Sequence, residues 1–431
     1  MTKIKRSFYL KLLLFSVWFS FFISINLNPV EFSNFNLLNK IKILLPFCLT
    51  ILLITFKYEK VKFSNFLDIQ SLFFYIIFIL YIVFNITFKN NNNVNIFWPI
   101  YMALSFFILH NLTNYEEKKN LLILTVFIIG IGFTFYFSSA LIELINRPYY
   151  HFYGIMGGKL GYLGISNPPR SSGLARLAVI LFSFLLYYYL IKEKKNNYIY
   201  LILICALGTF SLIFQSRTVS FIYIILNIYI IVFYFKKFFK DKWLLIFAII
   251  LPLIINFFYN YNMISKYEKK ESIVENNLTI SALQNVILRD YTIHKKNPQK
   301  FSSDRFHNWN KAINIIKKNY LKGYGAQADR ILIEQSVHNS LLYSILSGGL
   351  LSGLSIIFIY ISSILLLVKF YLSGVYKLCD SSLVHFSASI LIIICLRSVL
   401  ETSFAIFSID FLVFIIAFLF FKESLKKYRK N

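Results

Sequence analysis

Charged residues are scarce in this sequence. Only 15% of its 431 residues are charged, whereas 58% are hydrophobic. A soluble protein could not bury that much apolar surface, so a soluble globular protein is excluded. The apolar residues also form uninterrupted blocks close to the roughly 20 residues that a helix needs to span a bilayer. The composition therefore predicts an all-α, polytopic integral membrane protein.

Acidic residues are the scarcest charged group. The chain has 19 Asp and Glu residues against 45 Lys and Arg, which gives a formal net charge of +26. Such a charge is also found in nucleic-acid-binding proteins, but most of these lysines lie in short loops between apolar blocks. The preference of basic residues for the cytoplasmic side of a membrane explains that distribution. We therefore expect the lipid bilayer as a partner, and no nucleic acid.

Cysteine is rare as well, and the long polar segment 263–338 has none. Three of the four cysteines lie within apolar blocks, so no disulfide framework or zinc site is indicated. The sequence also has no His-x-x-x-His motif or acidic cluster with metal-ligand spacing. We therefore expect neither a metal nor a cofactor. The four are Cys48, Cys205, Cys379 and Cys395.

Twelve apolar blocks divide the chain. The first follows Lys3, Lys5 and Arg6 and resembles a signal peptide, but no small-residue cleavage site follows it, so we expect an uncleaved span. The blocks are 8–25, 41–56, 69–88, 94–112, 120–143, 172–191, 198–214, 218–235, 243–262, 350–369, 381–400 and 404–421.

Two segments between blocks are longer than a connection requires, 144–171 and 263–338. Long loops in compact proteins are usually functional or disordered. We therefore divide the chain into nine spans over 1–262, which include the segment 144–171, a large loop over 263–338, and three spans over 339–431. Residues 339–349 are too few to cross a membrane and suit a short re-entrant or interfacial helix.

Loop charge predicts the orientation of the spans. Lysine is concentrated in alternate short loops, such as 57–62 and 192–195, and in both termini. Because basic residues favour the cytoplasmic side, we expect both termini in the cytoplasm. The segments 144–171 and 263–338 then lie on the outer side, since long loops are translocated regardless of charge.

The stretch 302–353 is the longest polar passage with a periodic pattern. Ser302 or Ser303 is expected to cap a helix there, and Gly323 stands where that helix should stop. Such a helix could lie on the membrane or the protein's own core, or cover a membrane-embedded catalytic site as a lid. The apolar side chains that recur at steps of three and four residues, which is typical of an amphipathic helix, are Phe306, Trp309, Ile313, Ile316 and Tyr320.

Arginines mark the outer mouths of several spans. Arg170 and Arg176 open the sixth span, Arg217 opens the eighth, and Arg397 lies near the outer end of the eleventh. Any one of these arginines could simply extend its side chain to the lipid headgroups from the end of its span. The inner loops, however, use lysine almost throughout, and arginine differs because its guanidinium binds phosphate oxygens through two parallel hydrogen bonds. A cluster of arginines therefore suits a diphosphate held at headgroup depth.

Three acids in or beside the spans have more than one interpretation. Arg397 and Glu401 are four residues apart, for which a local ion pair is the simpler explanation. Glu143 and Asp410 lie within apolar blocks, where a carboxylate is either a functional group or a structural partner of an arginine.

His338 stands where the large loop meets the next apolar block. Histidine is the side chain most often used as a general base near neutral pH, although a lone histidine at the end of a span is also compatible with no role. Glu334, four residues earlier, could orient the ring if this turn is helical. His307 is the second choice for the base.

Four segments resemble the O-antigen ligase and polymerase family of bacterial envelope glycosyltransferases. Their order and spacing are more specific than any one of them, and the similarity covers roughly the second half of the chain. A GT-C-like plan of about 12 spans with a large outer loop before the tenth agrees with it. The segments are N-P-P-R-S-S-G-L-A-R-L-A at 167–178, Q-S-R-T at 215–218, D-R-F-H-N-W-N-K-A-I-N-I-I-K-K-N-Y-L-K-G-Y-G at 304–325, and H-N-S-L-L-Y-S-I-L-S-G-G-L-L-S-G at 338–353.

The resemblance implies a metal-independent enzyme of the bacterial inner membrane. It would transfer a glycan from an undecaprenyl-diphosphate carrier to an acceptor hydroxyl on the periplasmic face. By this resemblance Arg217 and Arg305 bind the diphosphate, Arg170 and Arg176 assist at the mouth, and His338 deprotonates the acceptor. A chain-length regulator or a flippase are the protein partners that it suggests.

The acceptor and the class of protein both have alternatives. A polymerase extends a carrier-linked glycan and a ligase uses lipid A core; we slightly favour polymerase, because each polysaccharide gene cluster tends to carry its own divergent copy. A flippase for lipid-linked oligosaccharides is the competing class, but such transporters tend to have internal repeats and we find none. Peptidoglycan polymerases are related, yet the acid expected in their loop is not evident.

Overall fold

The computed structural model describes residues 3–26, 37–57, 68–87, 96–146, 171–191, 197–214, 216–241, 243–274, 303–378 and 381–428. Within these ranges every regular element is helical. The helices are α1 Lys3–Asn26, α2 Leu37–Lys57, α3 Ile69–Thr87, α4 Phe97–Phe107 with a π-helical turn Ile108–Leu112, α5 Tyr115–Asn146, α6 Ser171–Ile191, α7 Tyr198–Ile213, α8 Arg217–Asp241, α9 Trp243–Val274, α10 Ser303–Lys318, α11 Ala328–Leu332, α12 Ser340–Leu372, α13 Val375–Leu378, α14 Ser382–Leu400 and α15 Ile409–Tyr428.

Each predicted apolar block falls on one of these helices. Seven helices in the described ranges are long and apolar enough to cross a membrane. The chain is therefore a helical, multi-pass membrane protein, while the count of twelve spans stays a prediction. The shorter apolar helices are Ile43–Lys57, Phe97–Leu112, Tyr198–Ile213 and Trp243–Tyr259.

Two helices bear on the predicted boundaries. The helix α9 continues beyond residue 262 to Val274, so it extends into the polar segment 263–338. The short segment predicted at 339–349 forms the first part of α12, which is separated from the rest of that helix by a break at Gly349, whose φ is 71°. Residues 147–170 and 275–302 lie outside the described part of the chain, so only part of either long loop is described.

The chain divides into two compact units. Unit 1 lies within 1–125, 305–379 and 387–431, and unit 2 within 126–304 and 380–386. Helix α15 belongs to the core of unit 1, because every residue from Ile409 to Lys422 is buried. Its apolar side chains are thus covered by other helices of unit 1 and not by lipid.

Aromatic side chains fill the core of unit 1 between α3, α4 and α15. The ring of Phe74 stacks on Phe106 with 4.7 Å between ring centroids and contacts Phe418 at 5.5 Å. Stacked and tilted pairs of this kind stabilise a core beyond their buried area, by about 0.5–1.5 kcal/mol each.

Unit 2 contains the second part of α5 together with α6, α7, α8 and α9. Gly208 permits the close approach of α7 to α8 and α9. A Cβ atom at Gly208 would lie 2.8 Å from the Tyr223 hydroxyl and 2.9 Å from Pro252, so only glycine fits. The Tyr223 hydroxyl donates to the Ile249 carbonyl at 2.9 Å, which ties α8 to α9. The absence of a side chain at Gly208 therefore lets α7 pack closely against α8 and α9.

Candidate functional site

The candidate site lies in unit 1 and rests on the break in α12. At Gly349 the helical hydrogen bonds are interrupted, and the Leu350 amide donates instead to the Tyr320 carbonyl at 2.9 Å. The carbonyls of Leu346 and Ser347 accept from Tyr324 and Gly325, both at 2.9 Å. The segment after α10 thus satisfies the backbone groups that the break would leave without partners.

Glycine is required at this junction. Gly349 and Gly325 have φ angles of 71° and 86°, in the region that side chains disfavour. A Cβ atom at Gly323 would overlap the Ser347 backbone. Gly323 was predicted to mark the stop of the amphipathic helix, but α10 ends earlier, at Lys318. Its structural role is instead the close approach to α12.

The packed face of α10 is rotated from the predicted stripe. Ala312 is fully buried in a small core with Val337 and Leu346, and Trp309 packs against it. Phe306, which belongs to the predicted apolar stripe, is 54% exposed. The side chains that hold α10 in place are partly polar, so the apolar periodicity alone did not identify this packed face.

Hydrogen bonds from α10 fix the segment before His338. The Trp309 indole donates to the Val337 carbonyl at 2.7 Å, and the Asn308 amide donates to Ser336 O at 3.3 Å. Buried Asp329 accepts from the Val337 amide at 3.3 Å. These contacts hold the backbone on both sides of the Ser336–Val337 peptide immediately before the histidine.

Each residue of the motif His338-Asn339-Ser340 has its own structural feature: a left-handed backbone at the first and a side-chain hydrogen bond at each of the other two. His338 has a left-handed backbone with φ of 52°, a conformation uncommon in residues other than glycine and often found at functional sites. The Asn339 side chain caps α12 by accepting from the Leu342 amide at 2.9 Å. The Ser340 hydroxyl donates to the Glu401 carbonyl at 3.0 Å, which joins this motif to the loop after α14.

Glu401 holds the two central side chains. One carboxylate oxygen accepts from Arg305 Nη2 at 2.8 Å, and the other accepts from His338 Nδ1 at 2.9 Å. Burial favours the neutral acid, but the His338 hydrogen bond and the charges of Arg397 and Arg305 outweigh it and lower the pKa of Glu401 to about 2. The carboxylate is therefore ionised throughout the physiological range.

Two predicted contacts of this region were wrong. Arg397 does not form the local pair with Glu401 that their spacing suggested; its guanidinium donates to Ser403 at 2.9 Å and to Asp410. Glu334 is exposed and has a left-handed backbone, and Glu401 is the acid that contacts the His338 ring. Asp410 is thus a structural partner of an arginine, one of the two roles considered for it.

The geometry defines what His338 can do. An ionised carboxylate only accepts hydrogen bonds, so the ring proton lies on Nδ1 and Nε2 carries the lone pair. The side chain is 30% exposed, which leaves it accessible to a ligand. A histidine held by a carboxylate in this tautomer is suited to general-base catalysis.

The remaining predicted site residues are not brought into this arrangement by the described contacts. Arg170 lies outside the described residues. Arg176, on α6, is half-buried, and Arg217, the first residue of α8, is exposed; both belong to unit 2. His307 is exposed on α10. Sequence reasoning missed the role of Glu401, although an acid directly after an apolar block was a usable signal.

No protein-family model matches this chain. A search of the curated proteins likewise finds no relative of significant similarity.

Proposed function

We propose that the chain is a membrane glycosyltransferase of the O-antigen ligase and polymerase type. It would transfer or polymerise a glycan from an undecaprenyl-diphosphate carrier onto an acceptor sugar hydroxyl. The observation that carries the proposal is the Glu401 carboxylate, which holds His338 on one oxygen and Arg305 on the other. This neighbouring pair of a histidine and an arginine supports the roles proposed for them, a general base and a phosphate-binding cation.

In the proposed reaction His338 Nε2 removes the proton of the acceptor hydroxyl. The acceptor oxygen forms a bond to the anomeric carbon of the donor sugar, and the bond from that carbon to the phosphate oxygen breaks with its electron pair. Undecaprenyl diphosphate leaves as an anion, and the histidine ends the step as an imidazolium beside Glu401. That carboxylate stabilises the positive ring as it forms.

Arg305 neutralises the charge that develops on the diphosphate, and this removes the need for a divalent metal. The N–H groups of its guanidinium that do not donate to Glu401 can donate to phosphate oxygens. Arg170, Arg176 and Arg217 are proposed to complete the diphosphate site from the mouths of their spans. Their positions rest on the resemblance of the surrounding motifs, not on contacts with Arg305.

The proposed setting is the bacterial inner membrane, with both termini cytoplasmic and the site on the periplasmic face. The lysine-rich alternate loops support this orientation. A glycan acceptor, as in a polymerase, is slightly favoured over lipid A core. A chain-length regulator or a flippase would be the protein partner.

The test is transfer by the purified protein from a lipid-diphosphate glycan donor in buffer with EDTA. Wild type should transfer, and His338→Asn should bind the donor but transfer it about 10²- to 10⁴-fold more slowly, as expected for loss of a general base. Arg305→Lys keeps the charge but loses the planar fork, so its rate should fall too. His307→Asn, on the same helix as Arg305, is the matched control and should remain active.

Other results would contradict the proposal at separate points. Full activity of His338→Asn would contradict the assignment of His338 as the general base. Loss of all transfer in EDTA would contradict the metal-independent mechanism. Movement of intact donor across a vesicle membrane, without any transfer, would identify a flippase instead.

A further inference from the structure

A second polar site lies in unit 1, away from His338. It is a cavity of about 400 Å³ whose lining includes three lysines and a single carboxylate. The lining residues are Asp68, Gln70, Leu366, Lys369, Lys422, Leu425 and Lys426. Its excess of positive charge suits an anion.

Three helices build this cavity. Asp68 immediately precedes α3, Lys369 is in the last turn of α12, and Lys422 and Lys426 are one turn apart on α15. Lys422 is buried and forms an ion pair with Asp68, which also accepts a hydrogen bond from the Ser71 hydroxyl at 2.9 Å. The single acid of the cavity is therefore already engaged.

The two other lysines differ from Lys422 in their surroundings. Lys369 and Lys426 are both exposed at the cavity wall. The long lysine side chain can direct its ammonium group to a ligand while its methylene groups cover apolar surface. The lining therefore combines a partly buried ion pair, Lys422 with Asp68, and two exposed lysines without that acid, and this excess of positive charge suits a phosphate group.

The cavity lies at the opposite end of unit 1 from the candidate catalytic site. Helix α12 begins two residues after His338 and carries Lys369 in its last turn. Helix α15 likewise begins beside Asp410 and carries Lys426 at its far end. Asp410 pairs with Arg397, whose charge acts on Glu401 of the candidate catalytic site. Helix α15 has 20 residues and is about 30 Å long, which is enough to cross a bilayer, so the two sites belong to opposite membrane faces.

Exposed apolar side chains border the cavity on α3 and α12. They belong to the turns next to Asp68 and Lys369 in sequence, and they provide an exposed apolar surface for acyl chains. Their exposed fractions are 70% for Ile69, 46% for Leu72, 55% for Ile364, 59% for Leu365 and 43% for Val368. A soluble anion would make no use of this border, whereas a lipid would.

We propose that this cavity binds the headgroup phosphate of an anionic phospholipid, with the acyl chains lying along the exposed apolar side chains of α3 and α12. With the orientation predicted from loop lysines, this lipid belongs to the cytoplasmic leaflet, which the catalytic reaction does not use. The site is independent of the proposed glycosyltransferase activity.

The test is native mass spectrometry of the full chain in detergent, titrated with phosphatidylglycerol, with phosphatidylcholine or with glycerol 3-phosphate. Phosphatidylglycerol should bind at least about tenfold more tightly than phosphatidylcholine. The double variant Lys369→Gln/Lys426→Gln should weaken phosphatidylglycerol binding by about 10- to 30-fold, because each lysine near an anionic lipid contributes roughly fivefold.

The control removes two lysines of the same unit that do not line the cavity. Lys119 pairs with Glu116 at 3.4 Å, and Lys427 lies 4.6 Å from the centre of the Tyr115 ring. Lys119→Gln/Lys427→Gln changes the net charge equally and should bind phosphatidylglycerol as wild type does. Thermal unfolding without lipid checks that both double variants fold, and the single exposed change Lys426→Gln should still weaken binding by a few fold.

Three results would overturn the proposal. One is equal binding of phosphatidylglycerol and phosphatidylcholine by the wild type. Another is equal loss of binding in the two double variants, which would indicate a general charge effect. The third is displacement of phosphatidylglycerol by an equal concentration of glycerol 3-phosphate, which would assign the cavity to a soluble phosphate.

Discussion

Replacing Glu401 with glutamine should strongly reduce the proposed glycan transfer while preserving the shape of the site. Glutamine keeps the size of the side chain but turns one of the two accepting oxygens into an NH₂ group. That group must face either Arg305 or His338, which now occupy separate carboxylate oxygens at 2.8 and 2.9 Å. Each orientation places a donor against a donor unless one partner changes.

The partner that can change is the imidazole. A guanidinium cannot lose a proton in a protein, whereas histidine exchanges its two tautomers readily. In the Glu401→Gln variant we therefore expect the amide oxygen of the new side chain to stay on Arg305, while His338 Nδ1 becomes an acceptor. The ring proton then lies on Nε2, the nitrogen that should receive the acceptor's proton, and the base is lost.

The size of the effect follows from the same change in other enzymes. In serine proteases an Asp-to-Asn substitution beside the catalytic histidine fixes the wrong tautomer and lowers kcat by about 10⁴-fold. The His338 side chain is 30% exposed and has some freedom to turn, so we expect a fall of about 10²- to 10⁴-fold here.

The assay is the initial rate of glycan transfer at saturating donor, with Glu334→Gln as the matched control. Glu334 is an exposed acid only four residues before His338, and its substitution should leave the rate unchanged. A Glu401→Gln rate within about twofold of wild type would refute the assignment of the base. A large loss of transfer rate in Glu334→Gln instead would indicate that Glu334, the acid suggested by the sequence, orients the His338 ring.

Three further changes test the support of the site. Gly349→Ala should destabilise the protein by about 3 kcal/mol or more in thermal unfolding, because its φ is 71° and its Cβ would overlap the Leu321 carbonyl; Gly132→Ala, with nothing within 4 Å, is the control. Asp329→Asn should cost about 1–3 kcal/mol and slow transfer. The two oxygens of the buried Asp329 carboxylate accept from the backbone amides of Arg330 and Val337, and asparagine has only one oxygen, so one of these amides loses its acceptor. The pKa of Glu401 is lowered from 4.5 to about 2, so its contribution to stability is complete above pH 5 and declines as the pH falls towards 2; the difference in unfolding temperature between wild type and Glu401→Gln should shrink from pH 6 to pH 3, and a constant difference would contradict this.

Sequence patterns located the helices well because the apolar blocks are long. A block of about 20 apolar residues has few alternatives to a helix in a membrane, since every backbone group must be satisfied internally. His338 was selected by its position at the edge of an apolar block, and Arg305 by the resemblance of its segment to the family motif. Their connection could not be predicted from the sequence pattern, because both side chains contact Glu401, which lies 63 residues after His338.

Local spacing failed where tertiary contacts were stronger. Arg397 and Glu401 have the spacing of a helical ion pair, but the helix ends at Leu400, and Glu401 turns away from it. Arg397 then reaches Asp410, at the start of the next helix. A rule for helical neighbours cannot apply across a helix end, and the end of α14 was not marked by glycine or proline.

Arginine rather than lysine at position 305 is required by the arrangement that Glu401 imposes. In the proposed mechanism this side chain must keep Glu401 in place for His338 and also bind the leaving diphosphate. A guanidinium has five N–H donors in one plane, so it can donate to the carboxylate along one edge and to phosphate oxygens along the other. A lysine ammonium is a single point of charge and would have to leave the carboxylate to serve the phosphate. Diphosphate binding would then release the acid that orients the base, whereas with Arg305 binding and orientation are compatible.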